Sequence, residues 1–409
     1  LFRQAAQTVC GSCALSAHCW NGGRERTTAL LSLLEKPLRA DGSLTRLNVP
    51  KPFREGCARW VELSEEVARR WSFHMAREGA RRRVAQVRSV VSEQLGGVGE
   101  LLEGLSRKLE AKQVCDGTAE EITEELLQWG CRLHSVECTS EGENRMELRL
   151  HIASWEEGVM QPQEIADLLS DLLGLKLEAE ENDDAAQADC ITLHSCPQWS
   201  VSFGAAQHTR SGESLCGDCY SAADLGDRAV LLLSDGMGSG GRAAVDAAMT
   251  CGLMERLLRA GFGTRGALRV VNSALLVRAE DESLATSDCV SVDLYTGKAH
   301  FSKAGAVCSF LRRGDEIIPI ELPSLPLGIL REVDCAEQEM QLEEGDVVVL
   351  VSDGVGDIEQ YSWLRSELLA YDGSEPRMLA RNIIAAAEAK RSDEDDDMTA
   401  LVFQVSCTE

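Results

Sequence analysis

The chain has 409 residues, 44% of them apolar and 26% charged, which is enough for two or three domains with their own cores. Its formal net charge of -26 argues against a general nucleic-acid binder, because such a surface has little to replace the counterions around phosphates. No run approaches the roughly 18 uninterrupted apolar residues of a membrane span, and no signal peptide opens the chain, so a cytosolic location is expected. The sequence starts at Leu1 rather than a methionine. Upstream spans would place it at the inner face of a membrane.

Near the start, Cys10, Cys13 and Cys19 form a CxxC followed by a third cysteine, with His18 adjacent and Cys57 further on. This set offers a tetrahedral zinc site. The second half of a usual zinc pattern is missing, which leaves plain thiols as the other reading. The sixteen cysteines are scattered, several within apolar runs such as those holding Cys251 and Cys289, and suit free thiols in a reducing compartment.

From about Cys57 to Leu109 the chain reads as helix, with Val84, Val87, Val91, Leu95, Val98, Leu102, Leu105 and Leu109 on one stripe. Gly96, Gly97 and Gly99 weaken its middle by about 1 kcal/mol each. A narrow stripe covers its own domain or pairs with a second helix. The basic run Arg81 to Arg83 reads as a solvated helix face.

Residues 117–196 read as a small α+β unit: a helix in AEEITEELLQWG, strands in CRLHSVEC and RMELRLHI, a helix in QPQEIADLLSDLLG and a strand in DCITLHSC. AEENDDAAQAD around Asn182 reads as an exposed turn within it. His134, Cys138, His194 and Cys196 alternate within strands and read as core or edge positions rather than metal ligands. From Trp199 the pattern becomes strand-rich, with strands near 199–206, 216–221, 228–234, 288–294, 298–304, 306–312, 346–352 and 398–405. Helices follow Gly241, occupy TRGALRVVNSALLVRAE and fall near 361–370 and 376–390. Two sheets flanked by helices on both sides accommodate this order. The expected division is 1–113 as a cysteine-containing and helical regulatory part, 114–197 as a small α+β regulatory domain, and 198–409 as a third domain.

The chemistry lies in that last part. RAVLLLSDGMG around Asp235, DVVVLVSDGVGD around Asp353 and DDDMTALVF around Asp396 each place carboxylates at the end of a buried-type strand. Carboxylates gathered at one place repel unless cations sit between them, which predicts an oxygen-ligated Mg or Mn centre. Gly236, Gly238 and Gly241 satisfy GxGxxG, but the partner acid is absent, since Glu255 falls within the helix. No GK[ST] follows, so a phosphate loop fails too. Glycines that let backbone pass close to a metal, with Asp235 and the Gly236 carbonyl facing it, are the better account.

SLCGDCYSAADLGDRAVLLLSDGMGSGGRA, SDCVSVDLYTGKAHFSKAGAVCSFLRRGDEIIPIELPSLPLGIL, GDVVVLVSDGVGD and DDDMTALVF together closely resemble the metal-dependent type 2C (PPM) serine/threonine phosphatases, and within them the sporulation phosphatases, over about 199–406. The resemblance implies an α+β architecture: a C-terminal αββα sandwich preceded by a helical segment and a small α+β regulatory domain. It implies two Mn2+ or Mg2+ ions that activate a water for in-line attack on phosphorus. Asp235 matches the bridging carboxylate, Gly236 the carbonyl ligand, Asp353 and Asp396 the ligands of one ion, and Asp218 the acid serving the other. Cys216 and Cys219 flank Asp218, but a thiolate nucleophile would want an Arg-rich cradle that this loop lacks. Gly305 and Ala306 stand where many relatives carry an acid for a third ion, so none is expected. Arg210 is a phosphate clamp or a surface arginine, and Asp397 a partner of Asp396 or a capping carboxylate. The resemblance also implies a phosphorylated anti-sigma-factor antagonist as substrate, control of a sporulation sigma factor, cell-division proteins as partners of the regulatory part, and dimerisation through residues 57–113. A scaffold that keeps the fold without catalysis is the alternative, and a nucleotide-binding module a third.

Overall fold

The computed structural model describes residues 2–79 and 113–408 except 141, 156–159, 181–189, 239, 279–282, 356–361 and 391–395, and between those spans only positions 81, 96, 99, 102 and 106. The chain divides into two compact units, Leu1–Ser89 and Val90–Glu409. Of the apolar stripe only Leu102 is described, helical and exposed, and the turn around Asn182 lies outside the described residues.

The first unit is helical from its start, a feature the sequence pattern did not announce. It holds helices α1 (Phe2–Cys10), α2 (Arg24–Ser32), α3 (Glu35–Asp41), α4 (Lys51–Gly56) and α5 (60–79), with a π-turn at His18–Gly22 between α1 and α2. Helix α3 stops at Gly42, whose φ of 65° is the left-handed cap that glycine adopts without strain. Ala5, Ala6, Leu34, Leu38, Phe53 and Val67 close the core of this unit.

The second unit opens with β1 (Gln113–Val114), α6 (Asp116–Gln128), β2 (Cys131–Ser140), β3 (Met146–Trp155), α7 (Pro162–Leu173), β4 (Leu177–Ala179) and β5 (Cys190–Ser195). The strands form one antiparallel sheet in the order β1-β2-β3-β5-β4. The start of α7 was legible: Gln161 and Glu164 make a reciprocal capping box with Pro162 in the first turn. Ile122, Leu126, Ile165 and Leu169 pack against Leu148, Leu150 and Leu193. His134 and His194 are exposed while Cys138 is buried; simple alternation would put His134 and Cys138 on one face, and the bulge between Arg132 and Ser135 breaks that register.

The remainder is a sandwich of two antiparallel sheets between two helix layers. Its elements are β6 (Trp199–His208), β7 (Asp218–Asp224), β8 (Arg228–Asp235), α8 (Gly240–Arg259), α9 (Thr264–Arg278), β9 (Ser287–Asp293), β10 (Lys298–Ala304), β11 (Ser309–Arg313), β12 (Glu316–Ile320), β13 (Ala336–Gln341), β14 (Val347–Val351), α10 (Ser362–Ala370), α11 (Pro376–Ala389) and β15 (Met398–Cys407). One sheet runs β13-β10-β9-β8-β7 and the other β12-β11-β14-β15-β6. Strand β8 is apolar almost throughout because both its faces are buried: Leu231 and Leu233 meet Leu311, Leu350 and Phe403 of the opposite sheet, while Val230 and Leu232 meet Met254 and Leu268 of α8 and α9. Helices α10 and α11 cover the other sheet through Leu364, Leu368, Leu379 and Ile383. The expected strand at 306–312 begins only at Ser309, because 305–308 turns inward beside the acids.

The turn between β2 and β3 ties the regulatory sheet to this sandwich. Asn144 takes a φ of 60°, which its short polar side chain tolerates, and its Nδ2 donates to the Tyr295 carbonyl at 3.1 Å. Arg145 donates to Asp227 at 3.3 Å and Asp293 at 3.0 Å, with its guanidinium 4.7 Å from the centre of the Tyr295 ring. These contacts hold the start of β8, and Asp235 ends the same strand, roughly 23 Å along it at about 3.3 Å per residue.

Candidate active site

Strand pairing assembles the acids. Asp218 opens β7 and Asp235 closes β8, and the antiparallel register sets them directly opposite each other. On the other sheet Val351 pairs with Ala400 and the Ser352 N–H donates to the Thr399 carbonyl at 3.0 Å, so Asp353 and Asp396 leave β14 and enter β15 at one edge. Asp218 bridges the sheets: its Oδ2 accepts from Ser352 Oγ and from Thr399 Oγ1, both at 2.7 Å. Gln207 Nε2 donates to the Asp218 carbonyl at 3.3 Å and to Thr399 Oγ1 at 3.1 Å.

Like charges directly opposite one another destabilise a sheet, and here the charge of Asp218 adds to the raised carboxyl of Asp235. Burial raises the Asp218 carboxyl to about 6, against the lowering effect of the Ser352 and Thr399 hydroxyls. Burial raises Asp235 further, to about 9, and the charges of Asp218 and Asp353 add to it. Both neighbours stand within hydrogen-bonding reach of Asp235. Asp218 Oδ1 is buried without a hydrogen-bond partner.

Asp235 and Asp353 line a small cavity with Thr286, Asp288, Gly305 and Ser352. Gly305 has a φ of 68°, and a Cβ there would stand 2.6 Å from the Pro326 backbone, so this wall admits only glycine. Gly236 continues from β8 with its N–H donating to the Gly217 carbonyl at 3.2 Å. A Cβ on Gly236 would lie 2.0 Å from the Ala243 carbonyl of α8. Glycine here allows strand and helix backbones to touch.

Asp218 is buried and Asp235 partly so, whereas Asp353 and Asp396 are exposed, and Asp396 Oδ1 accepts the Asp397 N–H at 2.9 Å. Arg210 is exposed, and its backbone N–H donates to Asp397 Oδ1 at 2.9 Å. The other Asp397 oxygen accepts the Gly217 N–H at 2.8 Å, so this buried carboxylate fixes both ends of the loop leading into Asp218. Cys216 is pushed up to about 12, chiefly by burial. Cys219 is lowered to about 7 by the neighbouring Cys251 thiol, which hydrogen-bonds it. Cys10, Cys13 and Cys19 lie in the first unit.

Sequence reasoning missed the polar scaffold: Ser352, Thr399, Gln207 and above all Lys303. The Lys303 side chain is 0% exposed and its ammonium contacts Asp288, itself 1% exposed. It also donates to the Val307 carbonyl at 2.8 Å and to Ser309 Oγ at 2.6 Å. Asp288 and Lys303 belong to one sheet and Ser309 to the other, so this cluster joins the sheets beneath the 305–308 loop. The signal was present in the sequence only as a lysine and an aspartate within two strand-like runs, SDCVSVD and KAHFSKA, that carry other polar residues as well.

The donor set fits a hard divalent cation: carboxylates from four strand ends, one buried oxygen without a partner, and mutual repulsion that a cation relieves. Among the described residues no three potential ligands yet stand at coordinating spacing.

The pattern of the family described as Stage II sporulation protein E (SpoIIE) matches residues 226–406, and that described as SpoIIE, regulatory domain, matches residues 1–195. Stage II sporulation protein E of Bacillus subtilis (strain 168) is 29% identical over 409 residues, covering 97% of this chain and 49% of the relative. That of Priestia megaterium is 26% identical over 415 residues, covering 98% of this chain and 70% of the relative. The chain thus spans about half the length of the first of these relatives. The solved structure of the PP2C phosphatase domain and a fragment of the regulatory domain of SpoIIE from Bacillus subtilis superposes with a TM-score of 0.59 at 26% identity, covering 80% of this chain and 97% of that one. With the sandwich, the paired acids and both family patterns in agreement, the chain belongs to the stage II sporulation protein E family of PPM phosphatases, a family that depends on Mn or Mg.

Proposed function

We propose that this chain is a Mn2+- or Mg2+-dependent protein serine/threonine phosphatase acting on a phosphorylated anti-sigma-factor antagonist, and so controlling a sporulation sigma factor. The observation that carries the reading is the meeting of Asp218, Asp235 and Asp353 at one sandwich edge, with a buried Asp218 oxygen free to take a cation. Asp218, Asp235, the Gly236 carbonyl, Asp353 and Asp396 would hold two ions, which supply charge neutralisation and water activation for phosphate-ester hydrolysis. The rest is done by the chain's own groups. Ser352 and Thr399 fix the orientation of Asp218 with two short hydrogen bonds. Asp397 holds the preceding loop, which carries Arg210 to the rim as a candidate phosphate contact. Lys303 holds the wall opposite Asp235 and Asp353.

The same reading takes residues 1–113 and 114–197 as regulatory and 198–409 as catalytic, with dimerisation through the helical stretch and engagement of cell-division proteins. The test is hydrolysis of a phosphoserine form of the antagonist with and without Mn2+. Wild type should turn over only with the ion, and Asp235→Asn should lose at least about 100-fold, the worth of a preorganised charged group at a reacting centre. Equal rates for the two proteins would sink the enzyme reading in favour of a scaffold.

A further inference from the structure

The first unit brings the distant Cys57 to the near-neighbours Cys10, Cys13 and Cys19. Cys10, Cys13, Cys19 and Cys57 all line one cavity, whose other walls include the apolar side chains of Phe53 and Leu63. Each arrives by a different device. Cys10 ends α1, and the Cys13 N–H donates back to the Cys10 carbonyl at 3.0 Å, closing a tight turn. Cys19 lies in the π-turn, with its carbonyl held by Thr27 Oγ1 at 2.8 Å. Cys57 caps α4, its N–H donating to the Phe53 carbonyl at 3.1 Å. All four are free and partly buried.

We propose that Cys10, Cys13, Cys19 and Cys57 form a tetrahedral thiolate site for a structural zinc ion that staples α1, the π-turn and α4. Four sulfurs from three separate stretches complete the pattern that CxxC began, and a closed four-sulfur shell is the structural form of a zinc site. Soft thiolates select zinc over the hard ions suited to the carboxylate centre. Donors and a cation also stand beside the sulfurs. The Arg59 backbone N–H hydrogen-bonds the Cys57 sulfur. The Arg59 guanidinium is paired first with Glu62, feels Cys13 and Cys10 more weakly, and is anchored by the Val9 carbonyl at 2.9 Å and Ser12 Oγ at 2.8 Å. Burial raises the Cys57 thiol first, and the other three sulfurs raise it further, which places each of them within electrostatic range of Cys57. Among the described residues no three ligands stand at coordinating spacing here, as is equally true of the carboxylate centre. The ion would draw the sulfurs in by side-chain rotation. On binding, four S–H bonds lose their protons to solvent and four Zn–S bonds form, leaving a complex of charge -2 that Arg59 partly offsets.

The test is metal analysis of the full chain purified in reducing buffer without chelator. About one zinc per chain should survive dialysis, be absent from Cys13→Ser and Cys57→Ser, and remain in Asp235→Asn. In case the cysteine variants fail to fold, Co2+ added to wild type should give the thiolate-to-cobalt charge-transfer absorption of a tetrahedral sulfur site. A zinc content unchanged by the cysteine substitutions, iron and sulfide in place of zinc, or cobalt spectra without charge transfer would each overturn the proposal.

Discussion

Replacing Lys303 by methionine tests how the sandwich holds its catalytic edge. Methionine keeps the apolar stem but removes an ammonium that contacts Asp288, the Val307 carbonyl at 2.8 Å and Ser309 Oγ at 2.6 Å. Asp288 would keep one hydrogen bond, from Ser309 Oγ at 2.7 Å, while its Oδ1 has no partner already. Breaking one side of a buried ion pair costs about 3 to 5 kcal/mol, because it strands a charge away from water. For a sandwich of this size that is a fall of roughly 6 to 20 °C in melting temperature. Replacing both partners, as Lys303→Met with Asp288→Leu, should restore most of the loss, since well-packed apolar groups of similar volume substitute for a buried pair at little cost. The measurement is urea unfolding of the full chain, with hydrogen exchange of the β9 and β10 amides reporting the sandwich alone. A single-variant loss under about 1 kcal/mol, the worth of an exposed ion pair, or a double variant no more stable than the single, would refute the reasoning.

Other outcomes follow from the same geometry. Asp235 binds its proton more tightly folded than unfolded, with its carboxyl raised from 3.8 to about 9. The contribution of Asp235 to the stability of the metal-stripped chain is therefore fully present below about pH 4 and is lost as pH rises towards 9, because the folded state must surrender a proton it holds well. Melting curves between pH 5 and 8 should show that slope, flattened in Asp235→Asn; two flat, superimposable profiles would contradict it. Mn2+ affinity should rise over the same range, since the ion displaces that proton, and calorimetry in buffers of different ionisation enthalpy counts the protons released. Gly236→Ala puts a methyl 2.0 Å from the Ala243 carbonyl, so α8 must move; a loss of about 2 kcal/mol or more is expected, in the range of overpacking. Hydrogen exchange at the start of α8 indistinguishable from wild type would refute that contact.

Much of the phosphatase sandwich was legible in the sequence. RAVLLLSD, DVVVLVSD and MTALVF are buried on both faces, and such runs between Gly and Asp can hardly be other than interior strands. The acids follow from position alone, since an Asp directly after an interior strand must emerge at a sheet edge. The edge strands β12 and β13 were missed because their residues alternate weakly and face solvent on one side. The helices before Cys57 were missed because they are short, and a short helix is specified by what it packs on rather than by its own period.

Sequence by itself marked the candidate site residues, because strand ends, glycine turns and the order of four motifs are local properties written along the chain. Only the tertiary structure decided which of them meet. The β7–β8 register sets Asp218 against Asp235, Thr399 and Ser352 reach Asp218 from the opposite sheet, Lys303 meets Asp288 on the neighbouring strand and Ser309 across the sandwich, and Cys57 joins Cys10, Cys13 and Cys19. Each of these meetings joins residues brought together by burying apolar faces, and the partner of a buried polar group is set by packing rather than by spacing along the chain.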